Sequence, residues 1–95
     1  MQNNKITKQK IEKYLKLTEK ALSKAKKNIA KTKKQQALEI INMAENYFSD
    51  AQYFFKDKKD FVNAFAAINY AHGWLDAGVR LGIFNVKDNK LFTIK

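Results

Sequence analysis

Four polar residues, Asn69, His72, Asp76 and Arg80, recur three and four positions apart toward the C-terminal end of the chain. On a helix this spacing puts them along one flank, where a carboxylate beside an imidazole tunes it across neutral pH and a guanidinium attracts anions. The set could serve acid-base work or hold a small anionic ligand, but the simpler reading, and the favoured one, is an interhelical or i,i+4 salt-bridge ladder that fixes helix packing. Asp50, set among Tyr47, Tyr53 and Phe54, presents a carboxylate toward that ladder if its helix runs antiparallel, or else caps a neighbouring helix or pairs with Arg80.

Two further groups carry recognition rather than reaction chemistry. Lys13, Lys16, Lys20, Lys24, Lys27 and Lys31 fall within about 80° on one helical face, a stripe of roughly 27 Å. A polyphosphate backbone would be attracted to it. No arginine is there to read base edges and no interleaved aromatic is there to stack, so sequence-specific readout is not expected, and a simply solvated face is the alternative. Tyr70 and Trp74 point away from the apolar stripe of their own helix and form a candidate interaction face.

The composition removes several chemistries. The chain has no cysteine and one histidine, which excludes thiolate metal sites, disulfides and cysteine nucleophiles. Only carboxylate-rich metal sites remain, and no paired-carboxylate motif is evident, so neither metal nor cofactor is expected. No glycine-rich phosphate loop is present either. Residues 1 to 34 hold twelve lysines against Glu12 and Glu19, a net of +10, whereas the rest of the chain balances seven basic with seven acidic groups. So polarised a charge favours an anionic partner without requiring one. The longest apolar run, Ala64 to Ile68, is far short of a membrane span, and no apolar run follows Met1 to Lys5. A basic cytoplasmic protein is the expectation.

Helices must position these residues. There is no proline, and the only glycines are Gly73, Gly78 and Gly82. Ile11, Tyr14, Leu15, Thr18, Ala21, Leu22, Ala25 and Ile29 mark the buried face of a first helix over about 8–30, with Thr7 as N-cap and Ile6 stapled to Ile11. Ala37, Ile40, Ile41, Ala44, Tyr47, Phe48, Ala51, Phe54 and Phe55 mark a second over about 33–56, opened by a capping box from Thr32 to Gln35. Phe61, Ala64, Phe65, Ile68, Ala71, His72, Leu75, Gly78 and Val79 mark a third over about 61–81, with Asp60 as N-cap and Gly82 as a left-handed C-cap. A single all-α domain over 1–95 follows, an up-and-down three-helix bundle with a short extended or hairpin-like tail over 83–95. Phe84, Val86, Leu91 and Phe92 of that tail are expected to cover Tyr70 and Trp74; failing that, the two aromatics form a partner-binding patch.

The stretch Tyr47-Phe-Ser-Asp-Ala-Gln-Tyr-Phe54 and the run from Asn63 through Ala-His-Gly-Trp-Leu-Asp-Ala-Gly-Val-Arg-Leu to Gly82 resemble a family of small archaeal proteins known as domain of unknown function 357. The resemblance covers nearly the whole chain and is weakest in the first helix. It implies a three-helix bundle of archaeal origin and no activity, so it assigns no functional residues. From the residues themselves the reading is a non-enzymatic binding or adaptor module with a protein partner, as monomer or homodimer. Its alternatives are nucleic-acid binding through the lysine face, and a small-ligand or enzymatic site around His72, Asp76 and Arg80.

Overall fold

The computed structural model describes residues 5–88 and 90–92 of the chain. Three helices, α1 (Lys8–Lys26), α2 (Lys34–Lys56) and α3 (Phe61–Arg80), make an all-α three-helix bundle, with one 3-10 turn at Lys31–Lys33 leading into α2. α1 and α3 run parallel and α2 runs antiparallel to both, because Ile11 shares a cluster with Ala51, Ala64 and Ile68, while Leu22 meets Leu75 and Ile40 near the other end.

Local chemistry sets most helix ends. The Thr7 hydroxyl accepts from the Lys10 amide at 3.1 Å to start α1, and Ile6 packs on the cluster that holds Ile11. Asp60 starts α3 by accepting from the amide of Asn63 at 3.0 Å and from its side chain at 2.6 Å. At the end of α3 the Ile83 amide donates to Gly78 O at 2.8 Å and the Gly82 amide to Val79 O at 3.1 Å, with Gly82 at φ +74°. This paired closure needs a left-handed residue, which glycine supplies without a Cβ clash.

Two helix ends differ from the sequence reading. α1 closes at Lys26, four residues before its expected end at 30. The Asn28 side chain donates to Lys24 O at 2.8 Å, and the chain then turns extended to pair with the segment after α3. There the Ala30 amide donates to Ile83 O at 2.9 Å and the Asn85 amide to Asn28 O at 2.7 Å, around an antiparallel bridge between Ile29 and Phe84. A contact between residues far apart in sequence thus overrides helical periodicity, and Ile29 reaches the core from extended backbone. Nor does Thr32 cap α2: it lies inside the 3-10 turn, and no side chain caps either that turn or α2.

The core has two parts. One gathers Ala21, Leu22, Ala25, Ala37, Ile40, Ile41, Ala44 and Leu75 with Ile83, Phe84 and Phe92 from beyond α3. The other centres on Ile11, Ala51, Ala64, Ala67 and Ile68. Alanines on both α2 and α3 let these two helices make the most extensive contact in the molecule. Gly78 makes room for the segment after α3: a Cβ there would lie 2.4 Å from the Phe84 ring.

Candidate interaction face and polar groove

The strap after α3 decides what each candidate residue can do. Sequence reading sends Phe84, Val86, Leu91 and Phe92 over Tyr70 and Trp74; the structure sends them to the opposite flank. Phe84 and Phe92 are buried in the core, and Val86 and Leu91 pack against it. Polar ties hold the strap there. Lys24 Nζ donates to Asp88 Oδ2 at 2.9 Å, and Asp88 Oδ1 accepts from the amides of Lys90 and Leu91. The Lys24 hydrogen bond first, and the Lys90 amide second, lower the Asp88 carboxyl from its ordinary 3.8 to about 2. The hairpin expected at Asp88-Asn89 lies partly, and the last three residues wholly, outside the described residues.

His72 is the hinge of this arrangement. Its Nε2 faces Leu91 O at 2.5 Å, and a carbonyl can only accept, so the network assigns the proton to Nε2. Its Nδ1 lies 3.1 Å from Thr18 Oγ1, the single buried polar side chain among the described residues. Both ring nitrogens are therefore engaged in joining α1, α3 and the strap. Thr18, counted from its spacing as one more position of the apolar face, is buried because His72 satisfies its hydroxyl.

Asp76 stands 3.8 Å from His72 Nε2. With Asn69, Gly73, Tyr14 and Thr18 these two line a cleft of about 240 Å³ between α1 and α3. Arg80 stands exposed beyond that cleft, and among the described residues no hydrogen bond or ion pair ties it to the others. Asp50 is likewise exposed on α2, away from the cleft. The structure thus gathers Asn69, His72 and Asp76 and leaves out Asp50 and Arg80. Among the described residues no group of three His, Asp or Glu side chains is placed to hold a metal ion.

The lysine stripe is shorter than its spacing suggests. All six lysines are exposed, but Lys27 is the C-cap of α1 and Lys31 belongs to the 3-10 turn. Lys13, Lys16, Lys20 and Lys24 remain on the helix, a run of about 16 Å. Asp88 pairs with the last of them.

Tyr70 and Trp74 stay uncovered, at 61% and 39% exposure. The Tyr70 ring lies 5.3 Å from that of Tyr47, and with Asn69, Gly73, Trp74 and Ala77 they form an open groove of about 410 Å³. The exposed surface runs on to Val62 at 68% and Leu81 at 70%, with Ala66 and Ala77 also exposed. Sequence reading missed these four. The signal was present, since apolar residues recur every three or four positions on both faces of α3, and a helix apolar all round is one that is covered all round.

The family described as protein of unknown function (DUF357) matches residues 13–84, from the second turn of α1 to Phe84 at the closure of α3. No curated protein and no solved structure matches the chain.

Proposed function

We propose that this chain, which belongs to the DUF357 family of proteins of unknown function, is a non-enzymatic protein-binding module. Its docking surface is the outer face of α3, and its occupant is an apolar helix of a protein partner. One observation carries the reading. The strap that had the apolar side chains to cover Tyr70 and Trp74 is buried on the other flank, and a large uncharged face is left open in a chain of 29% charged residues.

The other readings have less behind them. His72 has both nitrogens engaged within the chain, and Arg80 lies off the polar cleft, which leaves an acid-base site without its parts. The helical lysine run is short and is tied at one end to Asp88. Among the described residues no helix is long and apolar enough to cross a membrane.

Affinity capture from native lysate, with and without nuclease, tests the reading against Ala77→Glu bait. Ala77 is exposed, so a carboxylate there leaves the bundle folded and charges the face. Capture of a protein that resists nuclease and is lost with Ala77→Glu is the expected result. Capture that nuclease abolishes, or that survives the charge, overturns the reading.

A further inference from the structure

We propose that the helix seated on this face is α3 of a second copy, lying antiparallel with the two-fold axis between Gly73 and Trp74. The inference rests on the docking-face reading above and names its occupant.

Ala66, Tyr70, Gly73, Trp74, Ala77 and Leu81 fall within about 100° of one another around the helix, and no charged residue lies in that arc. Their order alternates in size. When α3 is laid antiparallel on itself about a point between Gly73 and Trp74, Gly73 meets Trp74, Tyr70 meets Ala77 and Ala66 meets Leu81. Every large side chain is then opposite a small one. A parallel copy sets Tyr70 on Tyr70 and Leu81 on Leu81, and leaves gaps where small residues face each other. An antiparallel two-fold contact is self-complementary by symmetry, so one pattern serves both partners.

Gly73 makes the case sharper. A Cβ there would meet nothing within 4 Å inside the chain, so neither packing nor a left-handed turn requires glycine at that position. In mid-helix glycine weakens the helix relative to alanine. Across the proposed interface it is the site where the partner's Trp74 ring lies flat on backbone.

Area and charge agree with a pair of identical chains. Contact along this face hides on the order of 1,000 Å² in total, the lower edge for a specific interface, which makes a dissociable dimer. An uncharged interface suits two copies that each carry +10, because the excess lysines lie in residues 1 to 34 and none of them belongs to this arc of α3.

Sedimentation equilibrium of the whole chain, from micromolar to near-millimolar, is the test. A monomer–dimer equilibrium is expected. Gly73→Ala should melt at a higher temperature yet dimerise about tenfold more weakly, and Ala77→Glu should be a folded monomer by circular dichroism. Because the chain lacks cysteine, a mixture of Ala66→Cys and Leu81→Cys chains should oxidise to the mixed disulfide, and neither alone should crosslink. Monomer throughout the range overturns the inference, as does a Gly73→Ala chain that associates like the parent or an Ala66→Cys chain that links to itself. If the monomeric chain still captures another protein in the Ala77-dependent way, the docking face stands and only its occupant was misassigned. If neither association nor capture occurs, both readings fall.

Discussion

Alanine at position 78 would place its Cβ against the buried Phe84 ring, which cannot swing away without opening the core. Gly78→Ala should therefore destabilise the chain by about 1–3 kcal/mol despite alanine's better helix propensity, as read by urea unfolding. Thr18 poses a different problem, because its hydroxyl and the His72 ring satisfy each other across two helices. Thr18→Val keeps the shape and removes the bond, at a cost of about 1 kcal/mol for a half-buried imidazole nitrogen left without its partner. In a His72→Phe background the same change should cost almost nothing. Equal costs in both backgrounds would show that the pair is not coupled.

Among the elements, helix starts separate true caps from apparent ones. Asp60 accepts two hydrogen bonds from Asn63, the amide first and the side chain second, and both lower its carboxyl below the ordinary value. Asp60→Ala should lower the melting temperature, whereas Thr32→Ala should leave it unchanged because Thr32 caps nothing. The strap responds to acid. The Asp88 carboxyl titrates near 2 when docked and near 3.8 when free, so the docked state is favoured in full above about pH 4 and loses that contribution as pH falls through about 2. Protection of the Leu91 and Phe92 amides, taken against their intrinsic exchange rates at each pH, should fall over this window, and Asp88→Asn should abolish the step. Protection that stays constant across that window would mean that the Lys24 tie does not hold the strap.

For the whole molecule, charge and apolar surface are segregated: positive charge is concentrated toward α1, and the uncovered apolar face lies on α3. This separation gives salt a diagnostic sign. Two copies joined through an uncharged face repel each other through charges outside it, so added salt should tighten their association by screening that repulsion. A polyphosphate on the lysines would behave in the opposite way, with affinity falling steeply as salt rises. Measuring self-association and single-stranded DNA binding at low and moderate salt distinguishes the two, and dimers that dissociate on adding salt would contradict the uncharged interface.

Much of the architecture can be read from residues a few positions apart. Three apolar stripes, the caps at Thr7 and Asp60, and the left-handed closure at Gly82 follow from helical period and local hydrogen bonding, which need no distant partner. The polarised charge is equally plain in the sequence. Other features depend on groups brought together from far along the chain. His72 finds Thr18 across 54 positions and Leu91 across 19, and the bridge from Ile29 to Phe84 ends α1 before its periodicity does. The same long-range packing chose which flank of α3 the strap would bury. Both flanks are apolar, so local pattern could not rank them. On one flank the missing Cβ of Gly78 makes room for the Phe84 ring and the hydrogen bonds of His72 and Lys24 hold the strap, and the face with Tyr70 and Trp74 was left open.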